Sequence, residues 1–150
     1  MKKRISIGRD DYRNLIENNG YYVDKTLLIK EFLENDAMVT LITRPRRFGK
    51  TLNLTMVREF LDITKNSKDI FEDTKIMQTE YAEKLNSTPV IFMSFKDCGG
   101  DTKDELISRF RLVIKEEYEK YYRNFKDIDT IDKFVFKEFF NMFDILSNIT

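Results

Sequence analysis

The chain has 150 residues, enough for one domain with a sizeable core, and its 41% hydrophobic and 35% charged residues have the balance of a globular protein. Lys plus Arg equals Asp plus Glu at 26 each, so the zero formal charge gives no support to a nucleic-acid-binding domain. The lack of histidine removes serine triads, most zinc sites and the commonest general base, and the lone cysteine, Cys98, excludes an internal disulfide and makes a reducing cytoplasm the default.

Met1-Lys2-Lys3-Arg4 is basic, but no signal-peptide apolar core follows it. Gly20 precedes Tyr21-Tyr22-Val23, a short strand in the predicted order of elements, and Asp24 then caps a helix with its carboxylate. Leu28, Ile29, Phe32 and Leu33 form one apolar stripe on that helix. Met38-Val39-Thr40-Leu41-Ile42-Thr43 is rich in β-branched residues and reads as a buried strand. The most apolar run in the sequence falls near here, from Ala37 to Ile42, and is far too short to span a bilayer. After a loop from Arg44 to Gly49, a helix is predicted over Lys50 to Asp62, with Leu52, Met56, Val57, Phe60 and Leu61 inward. Thr64 to Ser87 is polar and poorly periodic, which suits short helical turns and loops. Pro89 opens a second apolar strand, Val90 to Phe95, broken by Cys98-Gly99-Gly100. Thr102-Lys103-Asp104-Glu105 has capping-box form and starts a long helix with Leu106, Phe110, Val113, Ile114 and Tyr121 on its buried side. A last helix is predicted over Ile131 to Ser147, carrying Phe139, Phe140, Phe143 and Leu146. Strands and helices in alternation argue for an α/β fold.

The stretch Arg44-Pro45-Arg46-Arg47-Phe48-Gly49-Lys50-Thr51 carries the chemistry. Its end reads as a phosphate-binding P-loop, G-x-x-x-x-G-K-[ST], with Arg44 in place of the first glycine. Such a loop turns backbone N–H groups toward phosphate and adds the positive end of the following helix. In that reading Gly49 lets the backbone approach, Lys50 is the cation for the outer phosphates and Thr51 is the Mg²⁺ ligand. Pro45 fixes its own φ and holds Arg44 extended, another way of leaving the strand. Arg44, Arg46 and Arg47 add positive potential beside polyphosphate; the plainer reading makes them solvated charge or partners of acidic neighbours.

With these residues in view, the chain resembles the predicted AAA-ATPase-like family, prokaryotic P-loop proteins that often carry a C-terminal restriction-nuclease-like domain. Ile7-Gly8, Asp11-Tyr12 and Leu15 are similar to the family's opening "I-G-x-x-x-[FY]-x-x-[LI]", and Tyr21-Tyr22-Val23-Asp24-Lys25-Thr26 resembles its "YYVDKT". Arg44 to Thr51 is similar to its modified Walker A, and Pro89-Val90-Ile91 to the start of its second strand. The resemblance implies a P-loop NTPase-like parallel sheet flanked by helices, with ATP and Mg²⁺ as ligands. It also implies that Tyr12, Tyr22, Asp24 and Lys25 lie near the nucleotide on its base side; as residues alone, Tyr12, Tyr21 and Tyr22 read as core aromatics packing the first helix on the sheet. The family's acidic Walker B strand is not identifiable, since the second strand ends in Ser94, Phe95, Lys96 and Asp97. The expectation is therefore the N-terminal part of a single AAA-type ATPase domain, an incomplete sheet, and no ATP turnover by this chain alone. Its partners would then be nucleotide and the remaining part of such a protein or a further copy. A second reading makes the basic loop a non-enzymatic module gripping nucleic-acid phosphate, against which the zero net charge counts.

Overall fold

The computed structural model describes residues 8–35, 37–94, 96 and 101–124. Contacts divide the chain into one unit from Met1 to Val90 and another from Ile91 to Thr150.

The first unit is built of short helices: α1 (Tyr12–Glu17), α2 (Leu27–Glu34), α3 (Lys50–Leu61) and α4 (Lys68–Phe71), followed by 3₁₀ turns at Lys75–Gln78 and Glu80–Lys84. Asp11 starts α1 by accepting the Asn14 N–H at 2.9 Å. At its other end Asn19 takes a left-handed φ of 53°, and the Asn19 and Gly20 amides donate to the Ile16 and Leu15 carbonyls. Gly20 is required there for space, because a Cβ would lie 2.3 Å from the Leu15 side chain and 2.8 Å from its carbonyl oxygen. Asp24 is not the cap of α2: the N-cap is Thr26, with no side-chain cap bond, and Asp24 instead accepts the Thr26 N–H at 2.8 Å and the Lys75 N–H that opens the first 3₁₀ turn. Of the α2 stripe, Ile29 is buried and Leu28 and Leu33 pack on the core, whereas Phe32 is exposed.

The core joins Tyr12, Ile29, Met56, Phe60, Leu61, Ile70, Phe71 and Ile76. Its centre is aromatic: Phe71 stacks on Tyr12 at 5.1 Å and meets Phe60 edge-on at 5.2 Å. The inward face expected of α3 is observed. The polar stretch after it supplies three core residues, Ile70, Phe71 and Ile76, that its weak periodicity did not reveal. Asn86 closes the C-terminal end of α3, its side-chain amide donating to the carbonyls of Glu59 and Asp62 at 3.0 Å each.

The parallel sheet expected of this sequence is not formed among the described residues. An isolated parallel bridge joins Asp62 and Thr88. The segment 38–43 belongs to no strand, with a bend at Met38, and Met38, Val39 and Leu41 are 102%, 84% and 82% exposed. The segments 21–23 and 90–94 likewise form no ladder; Tyr21, Val23, Ile91 and Met93 are exposed. Local β-propensity favours an extended backbone, but a strand exists only where a second backbone accepts its N–H and C=O groups. Met38 to Thr43 meets none among the described residues, whose regular structure is helical.

In the second unit, α5 (Lys103–Asn124) begins as the capping motif predicts: Thr102 accepts the Glu105 N–H at 3.2 Å, while the Glu105 carboxylate accepts the Asp101 N–H at 3.0 Å. Tyr121 is buried, Phe110, Val113 and Ile114 are half-buried, and Leu106 is exposed, contrary to its expected inward position. Glu117 accepts the Phe92 N–H at 3.2 Å and pairs with Lys120 at 2.8 Å. The predicted helix over Ile131 to Ser147, the Cys98-Gly99-Gly100 break, and Phe95 and Asp97 lie outside the described residues.

Candidate nucleotide-binding cleft

The site begins with the backbone. Gly49 is the N-cap of α3 with φ of 71°, and Arg47 is also left-handed at 68°. No side chain caps the helix, and its first intrahelical bond runs from the Asn53 N–H to the Gly49 carbonyl. The amides of Lys50, Thr51 and Leu52 therefore have no acceptor within the helix, and they sit at the positive end of its dipole. Gly49 is required for its φ, not for room, since a Cβ there would meet nothing within 4 Å.

This helix end opens on a cleft of about 750 Å³, lined by Arg46, Arg47, Phe48, Gly49, Lys50, Thr51 and Leu52 together with Gly8, Arg9 and Asp10 from a separate segment. The Lys50 ammonium donates to the carbonyl of Arg44, at the start of the loop. That bond uses the backbone of Arg44, so it does not depend on which side chain stands there. Arg44, Arg46 and Arg47 are exposed and make no ion pair among the described residues. Arg44 and Pro45 do not line the cleft.

The four residues expected on the base side do not line this cleft. Tyr12 is fully buried, with its ring edge-on to Tyr22 at 5.2 Å. Its hydroxyl is buried without a hydrogen-bond partner, and burial, with Tyr22 and Asp24 adding to it, pushes its pKa well above the ordinary phenol range. Tyr22 is half-buried; its hydroxyl donates to the Met56 sulfur at 3.0 Å and accepts the Lys25 N–H at 3.2 Å. Burial and the Asp24 carboxylate push this phenol up to about 12, against the lowering effect of the Lys25 N–H. Burial raises the Asp24 carboxyl, but the Thr26 N–H and hydroxyl and the Lys75 N–H outweigh it and hold the pKa below the usual value. These contacts belong to the core and its edge; none of Tyr12, Tyr22, Asp24 and Lys25 lines the cleft.

Two features of the site had no signal in single residues. One is the wall formed by Gly8, Arg9 and Asp10; the family-like Ile7-Gly8 pair was the only hint of it. The other lies behind α3, where Glu59 is 1% exposed and ringed by cations: Arg13 at 3.0 Å, Lys65 at 3.4 Å and Arg58 at 3.6 Å. Ser67 adds a hydroxyl donor at 3.1 Å. A glutamate in the middle of Arg58-Glu59-Phe60 reads as surface until the chain is folded.

A glycine–lysine–threonine turn opens the twelve-residue helix α3 onto this cleft. The family model described as AAA-ATPase_like, Predicted AAA-ATPase, matches residues 6–148, and the chain belongs to that family. No curated protein matches it, and no solved structure does. Membership is consistent with nucleotide binding in general. Among the described residues no helix is long and apolar enough to cross a membrane.

Proposed function

We propose that this chain binds a nucleoside triphosphate, ATP in the first instance, together with Mg²⁺, through the modified Walker A loop Arg44 to Thr51. The observation that carries the reading is the cleft at the start of α3, where Gly49, Lys50 and Thr51 share one wall. Open helix amides and a lysine suit the dispersed negative charge of a triphosphate. Lys50 leaves the Arg44 carbonyl and pairs with the outer phosphates, where its charge is better satisfied than by a neutral carbonyl. Thr51 offers a hydroxyl oxygen, the hard donor that Mg²⁺ prefers, at the same cleft, and would hold the ion there; bound Mg²⁺ would neutralise part of the phosphates' charge.

Titration calorimetry of ATP and Mg²⁺ against wild type and Lys50→Ala tests this. Removing a hydrogen bond to a charged group costs about 1.5–3 kcal/mol, so the variant is expected to bind roughly ten- to a hundredfold more weakly. Equal affinities would end the assignment. The exposed, unpaired Arg44, Arg46 and Arg47 favour one second reading, a loop that holds nucleic-acid phosphate. Strongly salt-dependent binding of DNA, with no binding of ATP, would support it instead.

A further inference from the structure

Two separate segments of the chain line the cleft, the phosphate loop and Gly8 to Asp10, and one hydroxyl fastens the two together. Thr55 lies one turn into α3 and is buried. Its Oγ1 accepts the Tyr12 N–H at 3.0 Å, and the carbonyls of Asp10 and Leu52, at 3.1 and 3.0 Å, share its single hydrogen. Arg58, one turn further on, reinforces the attachment by pairing with Asp11 at 3.0 Å. The helix whose first residues form the phosphate end thus sets the position of Gly8, Arg9 and Asp10.

We infer that Thr55 is a positioning residue for the nucleoside end of the ligand: it holds the Gly8–Asp10 wall at the right distance from the Walker loop, and base and ribose rest on that wall. This rests on the nucleotide reading above. If the phosphates occupy the amides of Lys50, Thr51 and Leu52, the rest of the molecule extends into the remainder of the cleft, whose other lining residues include Gly8, Arg9 and Asp10. Valine at position 55 keeps the shape but offers neither acceptor nor donor, leaving the Tyr12 N–H unpaired and the wall untied. Serine keeps the hydroxyl.

The test compares ATP with inorganic tripolyphosphate, which has the phosphates and no nucleoside, on wild type, Thr55→Val, Thr55→Ser and Lys50→Ala. Thr55→Val is expected to bind ATP about tenfold more weakly while binding tripolyphosphate as wild type does, and Thr55→Ser to match wild type for both. A loss shared equally by both ligands, no loss for either, or a serine variant as weak as valine would overturn the inference. Lys50→Ala reports separately on the underlying reading, which fails if tripolyphosphate binding is unchanged in that variant. Should Thr55→Val not fold, photolabelling of wild type with 8-azido-ATP decides: label on the peptide containing Gly8 to Asp11 supports the wall, and label confined to other peptides overturns it.

Discussion

Glu59→Gln is the sharpest probe of how this small helical unit is held together. The substitution keeps the shape of the side chain and removes its charge. In the native structure one carboxylate oxygen accepts Arg13 Nε at 3.0 Å and the Ser67 hydroxyl at 3.1 Å, and the other faces Lys65 at 3.4 Å and Arg58 at 3.6 Å. Arg13 also donates to the Asn66 carbonyl and to Ser67, so the network ties α1 and the 64–67 turn to α3. A glutamine can aim its one oxygen at Arg13 and Ser67, but its NH₂ then points at two cations. Breaking a fully buried pair costs about 3–5 kcal/mol, because one charge is left without a partner. Here the side chains of Arg13 and Lys65 are 26% and 32% exposed and can turn partly to water, which lowers the figure. The expected loss is about 2–3 kcal/mol, or a fall in Tm of roughly 5–10 °C for a chain of this size. Urea unfolding followed by circular dichroism measures it, and a double-mutant cycle with Arg13→Met should return a coupling of about 1 kcal/mol or more. A glutamine variant within about 0.5 kcal/mol of wild type, with unchanged m-value, would refute the view that this carboxylate anchors α1 to α3.

Tyr12→Phe deletes a buried hydroxyl that has no partner, so it should raise stability by up to about 1 kcal/mol and leave ATP affinity unchanged; a weakened affinity would put Tyr12 back at the nucleotide. Asp24→Asn should cost about 1 kcal/mol at pH 7, since an amide cannot accept from both Thr26 and Lys75 as the carboxylate does. The Asp24 pKa is lowered in the fold, so its contribution is present above the unfolded value of about 4 and disappears as pH falls through the folded one. Urea midpoints for wild type and variant should therefore differ at pH 7 and converge toward pH 2–3, and a gap that persists there would contradict the linkage. Gly49→Ala should cost about 1–2 kcal/mol through its left-handed φ alone, because the added Cβ touches nothing; a neutral result in thermal unfolding would mean that the loop adopts another backbone in solution.

The sequence by itself determined what depends on near neighbours. The spacing of Met56, Phe60 and Leu61 defines the inner face of α3, because residues three and four apart on a helix share one side whatever surrounds them. Gly49-Lys50-Thr51 marks where that helix begins, and Thr102 with Glu105 marks the start of α5, since caps are made by residues a few positions away. Only the tertiary structure decided the rest. Met38 to Thr43 has the composition of a strand, yet strand formation requires a second backbone alongside, and among the described residues no partner is present. Ile70, Phe71 and Ile76 enter the core from a stretch without clear period, because the chain there turns every few residues and no single helix face is repeated. Tyr12 and Tyr22 went to the core, while Gly8, Arg9 and Asp10 reached the cleft through Thr55, a residue 45 positions from Asp10. Glu59 is buried because Arg13 and Lys65 converge on it from other segments. A local pattern cannot state which distant groups will meet; that is settled when burial of the shared aromatic core brings the helices together.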